Sequence, residues 1–158
     1  MNVKATLSPD DLARACADAM WKEDDASQGL GMKIVEVKSG QATLTMTVRP
    51  DMVNGLRIAH GCFIYALADS AFAFACNSHN QRAVAAQGDI TFIRPGKLGD
   101  LLVATARQVS RSGRSGIYDV RVTAGGEVIA EFRGHSRTVI GTWLPAQEAD
   151  GKQQTEVS

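Results

Sequence analysis

The segment Gly61–Cys76, GCFIYALADSAFAFAC, places the strongest constraint on what this chain of 158 residues can fold into. Thirteen of its sixteen residues are apolar, and after its first residue it contains neither proline nor glycine. The run is too long for an ordinary strand and is apolar nearly all round, which is typical of a buried central helix. Asp69 lies in its middle and is the only residue with a formal charge between Arg57 and Arg82.

The position of Asp69 needs a separate explanation. An unpaired ionised carboxylate among apolar side chains costs several kcal/mol, so stability alone would favour alanine or serine there. The side chain could face water, or it could cap backbone amides of another element, and its role would then be structural. The alternative is a functional carboxylate whose basicity or nucleophilicity benefits from an apolar wall.

The rest of the chain predicts one further helix and six strands. The sequence SPDD from Ser8 combines an N-cap hydroxyl, a proline at the first helical position and acidic residues in the first turn, so a helix is expected to end near Glu23 or Asp24. A connector is expected over 25–31. Strands are expected over about 32–38, 42–48, 82–93, 100–110, 116–123 and 127–139.

This order of elements predicts an α+β fold. A single apolar helix with meander-type strands on both sides favours an antiparallel sheet of five or six strands that curves around the helix. One domain is expected over 1–141, followed by a polar, loose tail over 142–158. Because one face and the edges of such a sheet remain to be covered, oligomerisation is also expected.

Composition excludes several classes of function. The formal net charge is zero and the sequence pI is about 6.8, so nucleic acid and acidic membrane surfaces are not expected as partners. Cys16, Cys62 and Cys76 are odd in number and lack metal-ligand spacing, so no metal site is predicted. There is no signal-peptide pattern and no uncharged apolar stretch of about 18 residues, so a cytoplasmic protein is expected.

The start of the apolar helix is a candidate oxyanion site. Helix N-termini expose unpaired N–H groups, and Gly61 would let a ligand carbonyl approach the backbone closely. Asp69 follows eight residues later, which is about 12 Å along a helix. Because one Asp side chain cannot span that distance, a reaction that uses both groups requires Asp69 from a second copy of the chain, across a two-fold interface.

Three stretches of the sequence resemble one known family. NGLRIAHGCFIYALADSAFAFACNS, ITFIRPGKLGD and YDVRV are similar to segments of the hotdog-fold acyl-CoA thioesterases, and most similar to the small phenylacetyl-CoA thioesterases of bacterial phenylacetate breakdown. The resemblance runs from about Ala19 to about Gly141. It implies a hotdog fold, a sheet wrapped around one long helix, which agrees with the fold predicted from the pattern of elements.

The resemblance implies roles for individual residues. Asp69 matches the family's catalytic carboxylate, which acts as general base on a water or as nucleophile on the thioester carbonyl. Gly61 matches the glycine whose N–H polarises that carbonyl. Asn54 matches a loop asparagine that orients the thioester or the water, and His60 matches the histidine beside Gly61. His60 could equally be a packing or hydrogen-bonding residue at a helix start. Cys62 stands where the family usually has a second glycine, and it would place a thiol near the site.

Further residues are candidates for substrate contact. Phe63 and either Phe72 or Phe74 would line a pocket that suits a flat aryl-acetyl group, although a medium-chain acyl group would also fit such a lining. Gln87 is the nearest polar residue to the position where relatives hold the catalytic water. The phosphates of coenzyme A need cations, and turns at one rim of the sheet would present them, although each could also be an ordinary solvated charge. The candidates are Arg94, Lys97, Arg111, Arg114 and Ser115, the last three within RSGRSG.

The leading hypothesis is therefore an acyl-CoA thioesterase that works as a dimer with shared active sites, assembled further into a tetramer. No cofactor is expected, because coenzyme A is part of the substrate and a product. An acyl-CoA hydratase or dehydratase of the same fold would use His60 and Asp69 as a proton-transfer pair, but the proline-rich loop of those relatives is missing. A non-catalytic acyl-CoA binding module would need the same pocket, but it gives no reason for Asp69. His79 and His135 are interpreted as structural or exposed.

Overall fold

The computed structural model describes residues 6–145. Within this range the chain forms one six-stranded sheet and three helices, with a turn of 3-10 helix at Pro50–Met52 before the longest helix. The elements in chain order are α1 (Pro9–Trp21), α2 (Asp25–Gly29), β1 (Lys33–Lys38), β2 (Gln41–Thr47), α3 (Gly61–Cys76), β3 (Ala83–Phe92), β4 (Leu101–Ser112), β5 (Ser115–Ala124) and β6 (Glu127–Thr138).

The sheet is antiparallel throughout and has the order β1-β2-β4-β5-β6-β3. It wraps around α3, whose Leu67, Ala68 and Ala71 are fully buried against the inward side chains of the strands. Gly134 of β6 makes room for the ring of Phe72, because a Cβ at this position would lie 2.8 Å from the ring carbons. The predicted α+β architecture and the hotdog arrangement are confirmed, with six strands.

A short helix occupies part of the segment expected to be a connector. The side chain of Asp24 accepts hydrogen bonds from the N–H (2.9 Å) and hydroxyl (2.7 Å) of Ser27, which caps the five-residue helix α2. The Ser27 hydroxyl lies 2.8 Å from that of Ser70, so α2 is tied to α3. The prediction of a connector without a helix over 25–31 is therefore wrong for residues 25–29, which form α2.

The centre of the outer face of the sheet is polar. Arg121 pairs with Glu131 (2.8 Å) and Arg133 with Asp119 (2.6 Å) across neighbouring strands. Further outward positions on β2 and β4 are occupied by Thr43, Thr45, Thr105 and Arg107. Such a face is solvated without a partner, so it gives no reason for the oligomerisation expected from the sequence.

The unpaired edge of the sheet is different. Strand β3 lies last in the strand order, and its residues are largely exposed on both faces. The exposed side chains include Val84 (51%) and Phe92 (50%). A ten-residue edge with apolar side chains and free backbone groups is a surface that another strand can pair with.

The segment that follows β6 is held in place at its beginning. The backbone N–H groups of Trp143 and Leu144 both donate to the Oδ1 of Asn80, at 3.1 and 2.9 Å. The sequence predicts a loose tail from Thr142, yet residues 142–144 make specific contacts with the body of the chain. The rest of that prediction, over 146–158, lies outside the described residues. Among residues 6–145, no helix is long and apolar enough to cross a membrane.

Candidate active site

The N-terminus of α3 presents one free amide. The Nδ1 of His60 accepts a hydrogen bond from the Cys62 N–H (3.2 Å), so the ring caps the helix. The N–H of Gly61 has no acceptor within residues 6–145. His60 thus has the structural contact that one interpretation of the sequence assigns to it, and Gly61 has the unpaired donor that an oxyanion site requires.

Asn54 is fixed by the loop that precedes the helix. Its side-chain Oδ1 accepts from the N–H groups of Leu56 (3.0 Å) and Ile58 (3.4 Å). Its own backbone N–H donates to the Ile58 carbonyl oxygen (2.9 Å), and Arg57 between them adopts a positive φ of 62°. Since Oδ1 is used within the loop, the Nδ2 group is the part of Asn54 that remains to donate to a ligand.

Asn54 and Gly61 share one pocket, here called the Gly61 pocket. It has a volume of about 460 Å³, and Phe92 and Arg94 from the end of β3 and the loop after it also line it. A Cβ on residue 61 would lie 2.8 Å from the Cζ of Phe92, so glycine keeps this aromatic ring close to the helix start. The pocket therefore contains two hydrogen-bond donors, the Gly61 N–H and the Asn54 Nδ2, together with the Phe92 ring and the Arg94 guanidinium.

Asp69 lies in a different pocket, here called the Asp69 pocket. It has a volume of about 390 Å³ and a mainly apolar lining that includes Phe72 and Cys76 of α3. The Asp69 carboxylate is half-buried, makes no hydrogen bond within residues 6–145, and burial raises its pKa above the usual value for an aspartate. Burial, with a smaller contribution from the Asp69 charge, raises the pKa of the Cys76 thiol to about 12, so this thiol stays protonated.

The separation of the two pockets agrees with the distance expected from the sequence. Gly61 begins α3 and Asp69 lies eight residues along it, so their backbones are about 12 Å apart. On β3 the two pockets also lie at opposite ends, because Ala83 and Ala85 line the Asp69 pocket and Phe92 lines the Gly61 pocket. Neither of these two pockets contains both groups.

The predicted substrate-contacting residues separate into three groups. Phe72 lines the Asp69 pocket. Phe63 packs edge-on against the His60 ring (6.4 Å), and Cys62 is exposed, so neither lines the Gly61 or Asp69 pocket; their predicted contact with substrate stays a prediction. Phe74 is buried in the core against Trp21, which makes Phe72 the lining residue of the two alternatives.

Gln87 points away from Asp69 of its own chain. The neighbouring Gly88 faces α3, where it makes room for Tyr65, so Gln87 lies on the outer face of the sheet. There it lines a separate pocket of about 350 Å³ with His135. A register shift between Ala85 and Gln87 sets which side chains of β3 face the helix, and the water-holding role of Gln87 stays a prediction.

The candidate cations for coenzyme A occupy two ends of the sheet rather than one rim. Arg94 and Lys97 follow β3, near the Gly61 pocket, and Lys97 forms a β-bridge with Ile58. The hairpin between β4 and β5 lies at the other end, near the start of β3. It carries Arg111, Arg114 and Ser115; Arg111 donates to Gln81 (2.9 Å) and Arg114 to the Thr138 carbonyl oxygen (3.0 Å).

Sequence reasoning missed Tyr65. It lies midway between Gly61 and Asp69 on the same face of α3, and a Cβ on Gly88 would lie 2.2 Å from its hydroxyl oxygen. Burial first, and then the charges of Asp69 and Asp89, raise the pKa of Tyr65 above its usual value. The sequence spacing could have identified Tyr65, because residues four apart on a helix share a face and Tyr65 is four residues from both Gly61 and Asp69.

Comparisons with known proteins point to one family. The Thioesterase superfamily model matches residues 56–131. The chain is 42% identical to acyl-coenzyme A thioesterase PaaI of Escherichia coli K12 over 127 residues, which cover 80% of this chain and 91% of that protein. The structure of E. coli PaaI, from the phenylacetic acid degradation operon, superposes with a TM-score of 0.84 at 40% identity, over 85% of this chain and 99% of that one. A Streptococcus mutans protein bound to acetyl CoA superposes with a TM-score of 0.67 at 27% identity, over 70% of this chain and 90% of that one.

Proposed function

Because the chain belongs to the thioesterase superfamily and is an acyl-CoA thioesterase, we propose that it hydrolyses phenylacetyl-CoA or a related aryl-acetyl-CoA. The products are the free carboxylic acid and coenzyme A. Support for this acyl group comes from the similarity to PaaI, whose structure is described as coming from the phenylacetic acid degradation operon, and from the aromatic and apolar lining of the Asp69 pocket.

The active site would be shared by two protomers that pair through β3. The start of β3 lies at the Asp69 pocket and its end lies at the Gly61 pocket. Antiparallel pairing of two β3 edges about a two-fold axis near Gly88 places Val84 opposite the partner's Phe92. The Asp69 pocket of one protomer would then adjoin the partner's Gly61 pocket. The observation that carries the proposal is the location of the two pockets at opposite ends of the exposed strand β3.

The two pockets together supply what thioester hydrolysis needs. The Gly61 N–H polarises the thioester carbonyl and stabilises the oxyanion, while Asn54 Nδ2 donates to the carbonyl or to the water. As general base, Asp69 takes a proton from water as the water oxygen bonds to the carbonyl carbon. The carbon–sulfur bond then breaks, and the coenzyme A thiolate leaves and takes up the proton. In the covalent alternative, the Asp69 carboxylate attacks the carbonyl carbon, the carbon–sulfur bond breaks and the coenzyme A thiolate leaves. Water then hydrolyses the resulting mixed anhydride to the free acid and the Asp69 carboxylate.

The same pairing would bring the two groups of cations together. Arg94 and Lys97 of one protomer would lie near the hairpin residues Arg111, Arg114 and Ser115 supplied by its partner, and they would bind the phosphates of coenzyme A. The reaction uses water and side chains of this chain, with no cofactor. We extend the proposal to a tetramer of two such dimers in the cytoplasm.

Thiol release from a panel of acyl-CoAs tests the reaction. We expect phenylacetyl-CoA or hydroxyphenylacetyl-CoA to be preferred over benzoyl-CoA and straight-chain acyl-CoAs. Asp69→Asn should abolish turnover with the fold intact, while Asp18→Asn, at an exposed carboxylate of α1, serves as the matched control. Water addition to an enoyl-CoA without thiol release would indicate a hydratase, and tight binding without any hydrolysis would indicate a binding module. Either result would contradict the proposal.

A further inference from the structure

We propose that Trp143, in the segment after the last strand, forms the end wall of the acyl-binding pocket and limits the length of the acyl group that is accepted. This inference deepens the proposed function and rests on it, since it identifies the Asp69 pocket as the site of the acyl group. Trp143 lines that pocket together with Asp69, Phe72 and Ala85.

The pocket has a direction set by α3. From Asp69, the helix face that lines the pocket continues through Ala73 and Cys76 to Asn77, the C-cap of the helix. Asn77 lies eight residues beyond Asp69, about 12 Å along the axis. An acyl group whose carbonyl carbon is beside Asp69 therefore extends towards Asn77, which is where the indole of Trp143 is bound.

The wall is fixed by a buried asparagine. Asn77 is 2% exposed, and its Oδ1 accepts hydrogen bonds from the Trp143 Nε1–H (2.8 Å) and the Ala83 N–H (2.9 Å). Its Nδ2 donates to the carbonyl oxygens of Ala73 (2.9 Å) and Ala83 (3.1 Å). One side chain thus joins the end of α3, the start of β3 and the indole ring, so the ring cannot move away without breaking its hydrogen bond to the buried Asn77.

The outer side of the indole is also held. The guanidinium carbon of Arg82 lies 4.5 Å from the ring centroid, and Arg82 Nε donates to the Thr142 carbonyl oxygen (3.0 Å). The backbone on either side of the ring is bound by Asn80, as described above. A rigid aromatic wall of this kind limits the pocket to a short or flat acyl group, which suits an aryl-acetyl group.

Substitution of the wall tests the inference. Trp143→Ala is expected to raise the ratio of kcat/KM for straight-chain acyl-CoAs over kcat/KM for phenylacetyl-CoA by about 10-fold or more, because pocket space for added methylenes is worth that much. Trp143→Phe, which keeps an aromatic wall but loses the Nε1–H, should retain the wild-type order of preference. An unchanged ratio in a folded Trp143→Ala protein would overturn the inference.

A second measurement uses Trp143 in place. The chain has two tryptophans, so Trp21→Phe leaves Trp143 as the only indole fluorophore. Saturating phenylacetate or a short straight-chain carboxylic acid should protect Trp143 from acrylamide quenching. Unchanged quenching at saturation would refute the inference even if Trp143→Ala does not fold. If the wild type hydrolyses no acyl-CoA, the proposed function fails, while protection by the free acids still decides whether Trp143 borders an acyl pocket.

Discussion

The amide of Gly61 can be removed without disturbing the helix that carries it. Gly61 is the first residue of α3, where proline is favoured because the N–H has no intrahelical acceptor. His60 has φ −65° and ψ 133°, the extended conformation that a residue before proline prefers. Gly61→Pro is therefore expected to fold. Gly61→Ala is its matched control, because both substitutions press against the Phe92 ring and only proline removes the donor.

The expected effect follows from the role of the amide. Loss of one oxyanion donor lowers kcat by about 10²–10³-fold, or about 2.7–4 kcal/mol of transition-state stabilisation. Phe92 is half-exposed and its ring can rotate away from a new Cβ, so Gly61→Ala should lose much less. Steady-state thiol release from an aryl-acetyl-CoA measures both variants, and circular dichroism checks the fold. Equal kcat values for the proline and alanine variants would refute the assignment of the Gly61 N–H.

The same variant tests whether the site is shared. Asp69→Asn and Gly61→Pro are each expected to be inactive as homodimers. When equal amounts are unfolded and refolded together, about half of the dimers are mixed, and each mixed dimer carries one site with both groups intact. Activity should therefore recover to about one quarter of the wild-type value. No recovery, with mixed dimers demonstrated by native mass spectrometry, would contradict the two-fold arrangement.

Three further predictions follow from Asp69, Asn54 and Asn77. Because burial raises the pKa of Asp69, the acid limb of the kcat/KM profile should have its midpoint above the pKa of an ordinary aspartate, and a midpoint at or below that value would contradict a half-buried base. A raised pKa means that the burial of Asp69 is unfavourable when its carboxyl group is ionised, above its folded-state pKa, and not when it is protonated. Asp69→Asn removes the ionised group, so it should raise Tm at neutral pH and leave Tm unchanged below about pH 4. Asn54→Asp, which keeps the acceptor of the loop but removes the Nδ2 donor, should lower kcat without lowering Tm, whereas Asn54→Ala should lower both; an unchanged kcat for Asn54→Asp would exclude Nδ2 as a donor. Asn77→Ala leaves the indole N–H and the backbone groups of Ala83 unpaired. The free energy of unfolding measured in urea should therefore fall by about 1–3 kcal/mol or more, and a smaller decrease would indicate that water replaces the side chain.

Much of the architecture could be predicted from local patterns. The length and apolar character of Gly61–Cys76 identify the central helix, and the alternation in β2 identifies a strand with one buried face. The separation of Gly61 and Asp69 follows from helix geometry alone. Helix α2 was missed because a single capping side chain, Asp24, decides whether five residues become a helix.

The features that could not be predicted depend on contacts between distant parts of the sequence. Trp143 and Leu144 are bound by Asn77 and Asn80, more than sixty residues earlier, and no local pattern marks a polar C-terminal segment as anchored. The face on which Gln87 lies depends on the register shift in β3, which inverts the alternation that a sequence shows. The division of the candidate cations between two ends requires the strand order of the sheet.

The placement of the two pockets at opposite ends of β3 has a consequence for enzyme kinetics. A folded protomer alone holds a carboxylate without an oxyanion donor beside it, and a donor without a carboxylate. Dilution would therefore remove activity without unfolding the chain. Well below the dissociation constant of the dimer, the rate at saturating substrate should rise with the square of the protein concentration, and above it the dependence should become linear. Specific activity would then report directly on self-association.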